Sequence, residues 1–307
     1  MTIHIANAPC SWGVDDIKNP FLPPWQKILH EAAQAGYQSI ELGPWGYLPT
    51  DTAVLKQQLN ASGLSIVAAT LFDDLVSESN FAAMLALTHN LCRSLSQIPT
   101  AESTHGDNAP APYLVIIDFG HAQRAKFAGQ PENAPRLAAP DWQRLMRHIT
   151  DISRIAWQQY GVRPVIHPHA GGCIEFADEL AQLVKAIPHE VAGLCLDTGH
   201  LFYSGMDPVT SLQDYWQRID YLHFKDVNES KWRDALSRGL DFFTACANGV
   251  MCPLGQGAID YAAVQALLAE RHYQGWVTIE QERDPRHADT SLRDVSASLH
   301  YLRSVGF

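Results

Sequence analysis

The sequence predicts an α/β protein of eight βα units closed into one parallel barrel. Three observations carry that prediction. Short β-rich runs alternate along the chain with longer segments of helical period. Parallel strands need crossover connections, and helices of this length supply them. Eight such units in 307 residues match a (β/α)8 barrel of about 250 residues plus insertions better than an open sheet. At about 150 residues per domain the length alone would also allow two domains. The repeated βα rhythm instead assigns residues 1–307 to one.

The elements follow in order. A strand is expected over 4–8, then a helix over 25–35 stopped by Gly36, which suits a left-handed C-cap. A strand over 39–42 precedes a helix over 52–61, closed by Ser62-Gly63. The third strand is 64–69 and its helix 81–95. The fourth strand is 113–117, and a helix over 141–160 opens on Asp141. Strand 164–167 leads to helix 176–186, strand 193–197 to helix 208–219. Strands over 221–224 and 276–280 and a closing helix over 289–303 complete the set. Two stretches exceed ordinary loop length. Residues 100–140 are rich in Ala, Pro, Gly and Asn and are split by the fourth strand; residues 228–257 lie between strands seven and eight. The sections after strands 4 and 7 are expected as insertions on the catalytic face.

Composition narrows the function. With 46% hydrophobic and 18% charged residues, disorder, collagen and coiled coil are excluded. No apolar run approaches the ~20 residues of a spanning helix, and Met1-Thr2-Ile3-His4 lacks the opening of a signal peptide. The net charge is −11 with no basic stripe, which argues against nucleic acid as a partner. Six Cys without a CxxC pair read as reduced thiols of a cytoplasmic protein. The expected partner is a small molecule, with neither nucleic acid nor membrane; these signals do not specify an oligomeric state.

Four successive strands end in charged or imidazole groups: His167-Pro168-His169, Asp197-Thr198-Gly199-His200, His223-Phe224-Lys225-Asp226 and Glu280-Gln281-Glu282. Residues i and i+2 of a strand share a face, so His167 with His169, His223 with Lys225, and Glu280 with Glu282 would converge at the barrel mouth. Packing does not explain four such endings in a row. Imidazole nitrogen and carboxylate oxygen without thiolate suit one divalent ion of the Mn, Co, Zn or Fe class. Glu41 ends the second strand and points to the same mouth, or is a solvated strand end. Glu175 is a ligand or a helix-start acid. Asn7 and Trp12 flank the end of the first strand, Trp12 as core or pocket wall. Cys10 has no positioned base, which opposes a nucleophile. Residues 253–257 form a two-glycine turn without the context of a phosphate loop. His105, His121, His148 and His287 read as ordinary.

At these residues the sequence resembles the xylose-isomerase-like TIM barrels, and within them the inosose (2-keto-myo-inositol) dehydratase branch. The similarity covers nearly the whole chain. It includes Asn7-Ala8-Pro9-Cys10-Ser11-Trp12-Gly13, Ile40-Glu41-Leu42-Gly43, His167-Pro168-His169-Ala170-Gly171, Leu196-Asp197-Thr198-Gly199-His200 and His223-Phe224-Lys225-Asp226-Val227. It continues through Gly239-Leu240-Asp241-Phe242, Gly249-Val250-Met251-Cys252-Pro253 and the strand after Gly275. The resemblance implies a metal held by Asp197, His223, Glu280 and a strand-five ligand. Many members carry Glu where His167 stands, so that ligand is His167 itself or Glu175. It further implies enediolate chemistry on a keto-sugar or keto-cyclitol. The outcome is dehydration by a lyase or, alternatively, isomerisation or epimerisation. Lys225, His200 and Glu282 are then the catalytic candidates, and Glu41, His169, Trp12 and Asn7 the substrate-binding ones. An endonuclease-IV-like phosphodiesterase should carry a basic surface. A non-catalytic sugar-binding barrel should have lost a ligand, and the set is intact.

Overall fold

The structure is a computed structural model describing residues 3–99 and 112–307. Among these residues eight parallel strands form the barrel. They are β1 (Ile3–Asn7), β2 (Ser39–Ile40), β3 (Ser65–Ile66 and Ala68–Asp73), β4 (Tyr113–Asp118), β5 (Arg163–Ile166), β6 (Gly193–Asp197), β7 (Ile219–Phe224) and β8 (Gly275–Ile279). Neighbours in sequence are neighbours in the sheet, and β8 returns to β1 with Val277 opposite Ile5. β3 is broken at Val67. There the Val67 N–H reaches Ile40 O at 3.1 Å while its carbonyl accepts from Tyr113 N–H at 3.0 Å. The ladder therefore continues from β2 to β4.

The outer layer is α1 (Trp25–Ala35), α2 (Thr52–Ser62), α3 (Phe81–Leu95), α4 (Ala139–Tyr160), α5 (Ala177–Ala186), α6 (Pro208–Asp214), α7 (Tyr261–Glu270) and α8 (Ser291–Ser304). Carboxylates start several of them. Asp51, Asp207 and Asp260 each accept a backbone N–H of the first turn, satisfying donors that a helix start leaves without partners. α1 ends on Gly36 at φ 98°, as its position in the sequence predicts. Helix 208–219 is shorter than expected: α6 ends at Asp214 and a 3-10 turn, Trp216–Arg218, follows. α7 was not anticipated. Its sequence, YAAVQALLAE, offers too few polar residues to mark an outer face.

Two cores result. One lies between helices and sheet, and the other fills the barrel with Ala6, Val67, Tyr113, Val115, Val165, Cys195, Tyr221 and Trp276 among others. Tyr113 and Tyr221 stack across the interior with ring centroids 4.5 Å apart. Burying a side chain of this kind contributes ~1.5–3 kcal/mol. The inner core also explains the site above it. Alternate inward positions run from apolar to polar along each strand: Val165 to His167, Cys195 to Asp197, Tyr221 to His223 and Lys225, Trp276 through Thr278 to Glu280.

Two long segments leave the barrel after β4 and β7. Residues 119–138 follow β4 and include a short helix, Ala122–Ala125; His105 and the rest of 100–111 lie outside the described residues. Residues 228–260 carry helices Glu229–Ser237 and Phe242–Ala247. A two-residue strand, Asp226–Val227, pairs antiparallel with Met251–Cys252. The 253–257 turn is a plain turn tied to the barrel: the Asp226 carboxylate accepts from the N–H of Gly255, Gly257 and Ile259 at 2.9, 2.9 and 3.1 Å. All six cysteines are free. Among the described residues no helix is long and apolar enough to cross a membrane.

Candidate active site

A cavity of about 340 Å³ opens at the C-terminal ends of the strands, the end at which barrel enzymes place their chemistry. Its floor is built from residues at or just past those ends. His167 follows β5, Asp197 ends β6, His223 lies in β7 and Glu280 follows β8. One ligand atom from each of these four lies within 4.8 Å of the others.

Local structure aims each group. Asp197 Oδ1 caps the helix Thr198–Tyr203, accepting from Gly199 and His200 N–H at 2.8 and 3.0 Å. That leaves Oδ2 turned to the centre, 3.5 Å from His167 Nε2. Gly199 is required there, because a Cβ would sit 2.4 Å from Lys225 Cβ. His223 donates through Nε2–H to Glu41 Oε1 at 2.8 Å, so its Nδ1 faces inward, 2.9 Å from Glu280 Oε2. His223 Nδ1 is buried with no aligned hydrogen-bond partner. His167 Nε2, His223 Nδ1 and two carboxylates, all converging, are a donor set that fits a borderline divalent ion.

Lys225 lies beside this cluster. Its Nζ contacts Asp197 Oδ2 at 2.6 Å, Glu282 Oε1 at 3.1 Å and Glu280 Oε2. Burial opposes its charge, but the three carboxylates hold it well above the usual lysine range, so it stays an ammonium. Glu282 is pushed up to about 7 by burial, against the pull of Lys225 and with the help of Glu280. His169 and His200 lie with ring centroids 4.0 Å apart and planes tilted by 40°, and burial pushes both well below the usual histidine range. His169 Nδ1 lies 2.9 Å from the Ala170 carbonyl, which can only accept. The Ala170 N–H donates to His200 Nδ1 at 3.1 Å. The first contact leaves a lone pair on His169 Nε2; the second leaves a hydrogen on His200 Nε2.

Three of the expected site residues lie away from the four-residue cluster or the cavity wall. Glu175 stands apart from the four-residue cluster. Its Oε1 accepts from Gly129 N–H at 2.6 Å and Ser204 at 3.2 Å, its Oε2 from Gly171 N–H at 2.9 Å. It also lies 3.5 Å from Arg124, so it braces the 119–138 segment against the turn after β5. Asn7 and Trp12 do not line the cavity. The chain turns at once into the 3-10 helix Pro9–Trp12, which drives Trp12 into the core, where its Nε1 donates to Glu31 at 2.6 Å. The Asn7 side chain accepts from Ala8 N–H at 2.8 Å. Glu41 does line the cavity, but its Oε1 is already taken by His223 and by Tyr221 OH at 2.7 Å. Asp15, Thr70, Trp45, Phe72 and Phe243 also line it; Thr70 and Phe72 lie two apart on β3, past residue 69 where the strand was expected to end, and Asp15 and Trp45 are single loop residues that gave no signal. Cys10 is present too, with its thiol pushed well up by burial and by Glu280 and Glu282, the opposite of an activated nucleophile.

A family model described as xylose isomerase-like TIM barrel matches residues 29–305. The chain belongs to that family. Among its curated relatives, the rhizopine catabolism protein MocC of Rhizobium meliloti is 31% identical over 296 residues, covering 94% of this chain and 84% of that protein. An inosose dehydratase of Geobacillus kaustophilus is 31% identical over 287 residues, 92% of this chain and 88% of that one. Of solved structures, the IOLI protein with a bound zinc atom aligns with TM-score 0.68 at 14% identity over 98% of this chain and 96% of that one. D-allulose 3-epimerase from Methylomonas sp. aligns with TM-score 0.68 at 16% identity, also over 98% and 96%. At these identities the structures attest the fold. The xylose-isomerase-like barrel is thus shared by proteins of more than one chemistry, and the site of this chain has to be judged on its own residues.

Proposed function

We propose that this protein is a metal-dependent lyase of the inosose-dehydratase kind, acting on a keto-cyclitol or keto-sugar. The observation that carries the proposal is the convergence of His167, Asp197, His223 and Glu280 on the floor of a cavity that also holds Lys225, His169, His200 and Glu282. The relatives named inosose dehydratase, one of them 31% identical, favour the lyase outcome over epimerisation.

His167, Asp197, His223 and Glu280 would hold the ion. When bound, it supplies Lewis acidity that polarises a ketone carbonyl and stabilises enediolate charge. The remaining work belongs to side chains. His169 Nε2 presents a lone pair and is placed to take the proton from the carbon beside the carbonyl. Lys225 keeps its ammonium at the developing oxyanion. Glu282, near neutral in its proton affinity, delivers a proton to the β-hydroxyl as the C–O bond breaks, and water leaves. His200, neutral and with hydrogen on Nε2, donates to a substrate hydroxyl and orients the ring. Returning the proton to carbon instead would make the same site an isomerase or epimerase.

The test is turnover on 2-keto-myo-inositol and a set of ketoses with Mn, Co or Zn, followed by NMR in deuterated water. Loss of water from the cyclitol supports the lyase. A new epimer or ketose isomer supports the alternative. The absence of both, and of α-hydrogen exchange, would favour a binding protein.

A further inference from the structure

We infer that the substrate carries an apolar substituent, an aryl or alkyl group beside its hydroxylated ring, which lies against an aromatic wall formed by Phe72 and Phe243. This rests on the keto-sugar reading above and adds the part of the substrate that reading leaves open.

The cavity has two unlike sides. Its floor is crowded with donors and acceptors. Its apolar lining includes Trp45, Phe72, Leu87, Ile117 and Phe243. Phe72 comes from the end of β3, Phe243 from the helix Phe242–Ala247 between β7 and β8. Their rings meet at 6.2 Å, and Phe119 joins them at 4.8 and 5.3 Å. All three rings approach His169, at centroid distances of 5.4, 6.1 and 5.3 Å. The wall therefore begins directly above the polar floor. Phe72 remains 37% exposed, a large apolar surface left open at the mouth of a buried site.

A compact polyol can offer such a wall only the C–H face of its ring. Every hydroxyl that enters the cavity gives up water and needs a replacement partner. The floor supplies these, whereas phenyl, leucine and isoleucine side chains supply none. A hydroxylated ring seated on the floor leaves the wall uncovered. An apolar group attached to that ring would cover it and gain from leaving water. Pairing a polar anchor with an adjoining apolar face also discriminates between substrates, because a fully hydroxylated competitor gains less there. Phe243 belongs to the segment between β7 and β8, so the wall joins that insertion to the barrel strand that carries Phe72.

Two arms test this on the manganese-supplemented protein. The first measures binding of unoxidised phenyl β-D-glucoside and methyl β-D-glucoside by quenching of tryptophan fluorescence, for which Trp45 in the cavity is a reporter. The phenyl compound should bind at least about tenfold more tightly. Phe243→Ala and, separately, Phe72→Leu should narrow the gap to below about threefold while circular dichroism stays unchanged. The second arm compares solvent-deuterium exchange of phenyl 3-keto-β-D-glucoside with that of free 3-keto-D-glucose; kcat/KM should favour the phenyl compound by a similar factor. Equal binding of the two glucosides, or a gap that survives in both variants, overturns the proposal. A phenyl preference in binding with no exchange of either ketone keeps the wall and overturns the keto-sugar chemistry instead.

Discussion

Glu41 fixes which nitrogen His223 can offer at the centre of the site. The His223 Nε2–H is held by Glu41 Oε1 at 2.8 Å, and Tyr221 OH holds the same oxygen at 2.7 Å. Only Nδ1 is left to face Asp197 and Glu280. Partners of this kind orient a ligating imidazole, and their loss typically weakens metal binding 10–100-fold. Glu41→Ala is therefore expected to raise the Kd for manganese by that factor, measured by competition with a chelating dye. An unchanged Kd would make Glu41 a substrate contact only.

The neighbouring His169 and His200 should not be interchangeable. Ala170 gives His169 a free Nε2 lone pair and His200 an Nε2 hydrogen. Glutamine can reproduce a hydrogen-bond donor at that position but cannot act as a base. His169→Gln should lose roughly 10²–10⁴-fold in kcat, the range for general acid–base groups. His200→Gln should lose about tenfold or less. Equal losses would refute opposite roles.

Lys225→Met should keep its metal, since the ammonium is a neighbour of the carboxylates rather than a donor to the ion. Its kcat should fall by roughly 10²–10³-fold, the scale of one lost oxyanion donor. Wild-type turnover would reduce Lys225 to a counter-charge for Asp197, Glu280 and Glu282.

Glu175 gives a pH signature in stability. Its folded-state carboxyl is pushed up to about 7, chiefly by burial, whereas the unfolded chain restores an ordinary value near 4.5. The folded state then binds the proton more tightly. Its contribution is fully present below about pH 4.5 and is lost as pH rises through about 7, a change of about 3 kcal/mol. The stability of wild type minus that of Glu175→Gln, from urea titrations, should fall across this interval and level off above it. A flat or rising difference would contradict the assignment.

Much of this site is readable before folding because strand geometry is periodic. Once β5 to β8 are placed, alternation carries Cys195 to Asp197, Tyr221 to His223 and Trp276 to Glu280 without knowledge of any contact. The same logic fails where the chain leaves the strand. Asn7 and Trp12 sit at a strand end like His167, but an immediate 3-10 turn redirects them. Glu175 and His167 both follow the fifth strand, and only the backbone N–H groups of Gly129 and Gly171 separate a brace from a candidate ligand. Glu41 meets His223 across 182 residues, a pairing that no local pattern records. Phe243 comes from a six-residue helix, Phe242–Ala247, too short to show a period in the sequence.

The most direct measurement is metal content, by elemental analysis after dialysis against a weak chelator, of wild type, His167→Ala, Asp197→Ala and Glu175→Ala. Wild type and Glu175→Ala should retain about one divalent ion per chain. His167→Ala and Asp197→Ala should fall toward none, because each removes a donor from the four-residue cluster. Full metal in Asp197→Ala, or loss in Glu175→Ala with retention in His167→Ala, would contradict a centre built from His167, Asp197, His223 and Glu280.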